Sequence, residues 1–134
     1  MTRIIDSLAE ISASYDALFC DLWGCVHDGM RAFPAAVAAL RAYRAQGGIV
    51  VLVTNAPRPR ASVAKQLDRL GVPSDCWDVI ATSGDSARKA MFEGVVGSKV
   101  WHIGEPHDAP FFEKLQLLEN PVEIEKVALE EAEG

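Results

Sequence analysis

The 134-residue chain carries no cluster of five or more basic residues, and its thirteen Lys and Arg are outnumbered by nineteen Asp and Glu, for a net charge of −6. Binding a polyanion needs a basic footprint, so nucleic acid is not an expected partner. No apolar run approaches the roughly 18 residues that a membrane span requires, so no membrane partner is expected either. The N-terminus, Met1-Thr2-Arg3-Ile4-Ile5-Asp6, meets an acid early and shows no cleavable apolar segment, which predicts no signal peptide. Three cysteines, an odd number without a Cys-x-x-Cys pair, speak against a disulfide framework and against a zinc knuckle. Reduced thiols, and with them a cytoplasmic location, are the expectation. There is no internal repeat and no low-complexity segment. What remains is 49% hydrophobic, enough to build a core in a chain of one-domain size.

The chain is organised around the stretch from Phe19 to Gly29, Phe-Cys-Asp-Leu-Trp-Gly-Cys-Val-His-Asp-Gly. The apolar run Ala17-Leu18-Phe19-Cys20 lacks polar alternation and predicts a strand buried on both faces, as in a parallel sheet. It ends in Asp21, and ligands of open α/β sheets sit just beyond the carboxyl ends of the strands. A second unbroken, β-branched run, Ile49 to Val53, closes on Thr54-Asn55. If these strands are neighbours, a carboxylate meets a hydroxyl and an amide. That is a workable phosphate site, with an anionic nucleophile and neutral donors to hold the oxygens.

A short lead-in helix is expected over residues 5 to 12. Pro34 opens a helix that runs to Arg44, and Gly47-Gly48 ends it. Val37 and Leu40 mark its apolar face, Arg41 and Arg44 a basic one. After Pro57 and Pro59, a helix is predicted from Ala61 to Leu70, with Gly71 capping it and Pro73 beyond. Trp77 to Ala81 reads as a third strand. Ser83 or Asp85 then caps a helix to Phe92. Past the glycine-rich step Glu93 to Ser98, Lys99 to Ile103 alternates like a strand, and Phe111, Phe112, Leu115 and Leu118 form a helical apolar face. The alternation of strand and helix predicts an α/β fold, a Rossmann-like three-layer parallel sheet.

Asp21-Leu22-Trp23-Gly24-Cys25-Val26, followed by Val51-Leu52-Val53-Thr54-Asn55, resembles the first two motifs of the haloacid dehalogenase superfamily. Ala56-Pro57-Arg58 and Ala81-Thr82-Ser83-Gly84-Asp85 resemble its class IIA branch of sugar-phosphate and nitrophenyl-phosphate phosphatases, and the wording Asp-Leu-Trp-Gly before His27-Asp28-Gly29 one subgroup of it. The resemblance implies that residues 1–97 are the N-terminal part of the core and 98–134 the beginning of an α/β cap. It implies a phosphatase of small phosphate esters, with Asp21 as nucleophile and an aspartyl-phosphate intermediate. Thr54, Asn55 and Arg58 would bind phosphate, and Mg²⁺ would rest on Asp21 and the Trp23 carbonyl.

Two departures bear on activity. The residue two places after the nucleophile, an Asp in the family, is Trp23, and indole transfers no proton near neutral pH. His27 or Asp28 is the candidate replacement. The family's later lysine and acidic metal motifs have no counterpart, so the chain reads as truncated within the cap and inactive alone, with its first strand left as a sheet edge that invites homo-oligomers. The alternative reading is a non-catalytic protein of the same fold that binds a phosphorylated ligand or a protein partner. Cys20, Cys25 and Cys76 are expected as buried apolar residues. His102 and His107 lack an evident third ligand, and the acidic tail is expected to be a solvated face.

Overall fold

A computed structural model describes residues 4–134; the first three residues, part of the stretch read for a signal peptide, lie outside the described residues. The chain packs as two units, residues 1–54 with 60–81, and residues 55–59 with 82–134. The glycine-rich step at 93–98 therefore lies inside the second unit.

In the first unit, a one-turn helix α1 (Ala9–Ser12) leads into β1 (Ala17–Asp21), α2 (Pro34–Ala45), β2 (Ile49–Thr54), α3 (Arg60–Leu70) and β3 (Val79–Thr82), whose last residue begins the second unit. The sheet order is β1-β2-β3, and β1 runs parallel to β2 with Asp21 opposite Val53. This is the α/β fold with a parallel, Rossmann-like sheet that the alternation predicts. Pro34 supplies the fixed φ of a first helical turn, and α2 buries Val37, Leu40 and Tyr43. Val50 and Leu52, fully buried, stand with Val63 and Leu67 of α3 among the core residues. Each such side chain contributes about 1.5–3 kcal/mol through removal from water. The Tyr43 hydroxyl donates to the Tyr15 carbonyl at 2.7 Å and ties α2 to the entry of β1.

The expectation of strands buried on both faces is corrected. Only alternate residues of β2 are buried, and Phe19 is 72% exposed, with Ile49, Val53 and Val79 exposed beside it. Buried and exposed residues alternate along β2, so one face of the sheet packs inward and the other does not. The other face is uncovered among the described residues, and β1 is an edge. An unbroken apolar run specifies a strand but does not say how many of its faces are covered within its own chain.

The basic face of α2 is paired. Arg44 binds Asp78 through both carboxylate oxygens and the Asp75 carbonyl, while Arg41 binds Asp75 at 2.9 Å. Asp78 also accepts from the Val50 amide at 2.8 Å, so one carboxylate joins α2, β2 and the approach to β3.

The second unit opens with the loop 55–59 and α4 (Ser83–Phe92), then β4 (Lys99–Val100) and β5 (Glu125–Lys126), a parallel pair. Its core is Met91, Phe92 and Val100, with Phe111, Phe112, Leu115, Leu118 and Ile124 packed on it. The aromatic and leucine positions thus reach the core, but not on an α-helix. Residues Pro106–Phe112 form a 3-10 turn, because Pro110 removes an amide and would clash with the carbonyl one α-turn back. The strand expected to reach Ile103 stops at Val100. The acidic tail is not wholly a solvated face: Glu133 accepts the amides of Ser98 and Lys99, and these bonds hold its carboxyl below the usual range. Arg88, buried, donates to the carbonyls of Phe111 and Glu113 and to Asp85, fastening the turn to α4.

Candidate active site

Asp21 is the last residue of β1, and its side chain is exposed. One carboxylate oxygen accepts the Leu22 amide at 2.7 Å, which fixes the group at the strand end. Thr54 closes β2 one residue past Val53, the register partner of Asp21, so the parallel pairing brings the carboxylate strand and the hydroxyl strand to a common end. Thr54 is buried.

Beyond Asp21 the chain makes a compact turn. The Leu22 carbonyl accepts from the amides of Cys25, Val26 and His27, and Gly24 donates to the His27 carbonyl at 2.9 Å. Leu22 and Val26 are buried beneath it. The Trp23 indole lies across Gly29: a Cβ at Gly29 would fall 2.3 Å from the ring, and Gly29 has φ +87°, a conformation costly to any residue with a side chain. The same indole meets His27 edge-on, with ring centroids 5.4 Å apart. The spacing of Trp23, His27 and Gly29 is therefore one packing unit, which a reading of each residue alone does not reveal.

His27 is 1% exposed, and its Nδ1 accepts the Gly29 amide at 3.1 Å, which leaves the neutral ring its proton on Nε2. Burial lowers its pKa, against the opposing pull of Asp28 and Asp21. Asp28 accepts the amides of Met30 and Arg31, both at 2.9 Å, and these bonds hold its carboxyl below the usual range. Cys25 is exposed and Cys20 half-buried, and only Cys76 is buried, which corrects the expectation for the first two. Strand β1 leaves its side chains too little covered for Cys20 to sink, and Cys25 rides on the outside of the turn.

Asn55 and Arg58 belong to the second unit, Asn55 exposed and Arg58 half-buried. Their loop is gripped by the start of α4. Thr82, rather than Ser83 or Asp85, caps that helix, its hydroxyl accepting the Asp85 amide at 2.9 Å. Ser83 is thereby released to reach the Asn55 carbonyl at 2.8 Å and the Ala56 carbonyl at 3.0 Å.

Mg²⁺ asks for near-octahedral oxygen ligands. The Asp21 carboxylate and the Trp23 carbonyl are a partial set, and no group of three His, Cys, Asp or Glu able to hold a metal occurs among the described residues. The residues present do not by themselves fit the ion. His102 and His107 both approach Asp108, at 3.9 and 3.4 Å, without making such a group. No helix of the described residues is long and apolar enough to cross a membrane.

Residues 18–117 match the family described as haloacid dehalogenase-like hydrolase. The fold is similar to a crystal structure of a hydrolase of the haloacid dehalogenase-like family from Brucella suis 1330, with a TM-score of 0.84 and 38% sequence identity. The similarity covers 97% of this chain and 46% of that one, so this chain spans less than half the relative's length. Among curated proteins, none matches.

Proposed function

The chain belongs to the haloacid dehalogenase-like hydrolase family, and from that premise we propose that it is the nucleophile-bearing part of a phosphatase of the class IIA kind, acting on a small phosphate ester. The observation that carries the reading is Asp21 at the carboxyl end of β1, in register with the end of β2 that closes on Thr54. An Asp21 oxygen attacks phosphorus, the bond to the ester oxygen breaks, and water then hydrolyses the aspartyl-phosphate to return the carboxylate and inorganic phosphate. Thr54, Asn55 and Arg58 hold the phosphoryl oxygens. Asp21 and the Trp23 carbonyl would hold a Mg²⁺ ion only in part, since the ion asks for near-octahedral oxygen ligands. Residues 98–134 begin the cap.

The leaving oxygen needs a proton that Trp23 cannot give; of the two candidate relays, His27 is kept neutral by burial and Asp28 is kept ionised by the amides of Met30 and Arg31, so neither brings an acidic proton near neutral pH. Loss of a general acid costs about 10²–10⁴ in rate. That cost supports a second reading, a non-catalytic protein binding a phosphorylated ligand or a protein partner. The observation favouring it is the Trp23 indole, committed to packing on Gly29 where the family carries an acid. Hydrolysis of a generic phosphate ester with Mg²⁺, by this chain and by a chain of the relative's full length, separates the two. Asp21→Asn should abolish turnover with the fold intact, because the amide keeps the shape but cannot attack; turnover near wild type in that variant removes Asp21 from the nucleophile role.

A further inference from the structure

The loop Asn55-Ala56-Pro57-Arg58-Pro59 cannot organise itself. Pro57 and Pro59 have no amide to donate, so the carbonyls around them must find donors elsewhere. Those donors stand at the first turn of α4, whose leading amides have no partner within the helix. The Gly84 amide donates to the Ala56 carbonyl at 3.1 Å. The Ser83 hydroxyl has the carbonyls of Asn55 and Ala56 both within reach, at 2.8 and 3.0 Å. Gly84 is also where the loop comes closest: a Cβ there would lie 2.5–2.6 Å from the main-chain O, C and N of Arg58. Those are backbone atoms, so no side-chain rotation relieves the clash.

We propose that Ser83 and Gly84 are positioning residues for phosphate binding: they latch the loop by its main chain and so aim Asn55 and Arg58. The inference rests on the reading of Asn55 and Arg58 as phosphate contacts. Neither latch residue touches the ligand. Thr82 makes the arrangement possible by taking over the capping of α4, which frees the Ser83 hydroxyl for the loop. The sequence Thr82-Ser83-Gly84 thus divides its work among a cap, a clamp and a close approach.

The test uses this chain, with inorganic phosphate as the probe and the Asn55 side-chain amide signal in ¹⁵N-resolved NMR as the readout. Wild type should show a saturable shift of that signal. Ser83→Ala should weaken phosphate binding by about fivefold, the effect of losing one ordinary hydrogen bond's net contribution. Ser83→Thr, which keeps the hydroxyl, should bind within about twofold of wild type, and melting temperatures of both should lie within a few degrees of it. Gly84→Ala should weaken binding by about tenfold or more, since it displaces the loop backbone. Phosphate binding unchanged in Ser83→Ala, with wild type binding normally, overturns the latch and leaves the phosphatase reading standing. A loss in Ser83→Ala that Ser83→Thr does not restore also overturns it. If wild type itself shows no shift of Asn55 at any phosphate concentration, the phosphate-contact reading fails and the latch falls with it.

Discussion

Replacing Gly29 by Ala perturbs the turn behind Asp21 in two separable ways. The residue has φ +87°, and a side chain there costs about 1–2 kcal/mol in backbone strain. The new methyl would also stand 2.3 Å from the Trp23 ring, so the indole must leave its place. Trp23 is 61% exposed and can swing into solvent, but it then loses its edge-on contact with His27, worth about 0.5–1.5 kcal/mol. The sum is about 1.5–3.5 kcal/mol, a fall in melting temperature of roughly 5–17 °C for a chain of this size. Gly24 is the internal control: it has φ +73° with nothing within 4 Å of a built Cβ, so Gly24→Ala should cost the backbone part alone. Urea unfolding of Gly29→Ala, Trp23→Ala and the double variant completes a cycle. In the Trp23→Ala background the cost of Gly29→Ala should shrink to that of Gly24→Ala. An equal cost in both backgrounds would refute the packing of Trp23 on Gly29.

Trp23→Asp, which restores an acid two residues after the nucleophile, should raise the turnover of a catalytically competent chain by at least about tenfold, a conservative part of the general-acid range. It should lower stability, because the indole leaves Gly29 and His27; an unchanged rate would show that another group already moves the proton. Asp78 has its pKa lowered, first by Arg44 and then by the Val50 amide. Its contribution is therefore complete above the unfolded carboxylate value of about 4 and is lost as pH falls through the lower folded value. Asp78→Asn should flatten that acid limb of the stability profile, and an unaltered limb would remove Asp78 from it. The open edge of β1, with Phe19 exposed beside it, should drive self-association at micromolar concentration, and Phe19→Lys should reduce it. A monomer in sedimentation for both proteins would defeat that expectation.

What the sequence by itself determined is local. Pro34 and Gly47-Gly48 bound α2, the β-branched run Ile49 to Val53 made β2, and Asp21 and Thr54 closed their strands, because propensity, caps and strand ends depend on near neighbours. The motif spacing carried the family for the same reason: the nucleophile turn and the second strand end are contiguous stretches. Tertiary structure decided whatever depends on a partner distant in the chain. It left one face of β1 and β2 open, since a run of apolar residues records burial potential and not what covers it. It paired Arg41 and Arg44 with Asp75 and Asp78, more than thirty positions away. It turned Pro106–Phe112 into a 3-10 turn that still delivers its aromatics to the core, and brought Glu133 back to cap Ser98. Above all it gave Trp23 its seat on Gly29 and Ser83 its hold on Asn55. Both contacts need a glycine at the point of close approach, and a sequence shows the glycine without showing what approaches it.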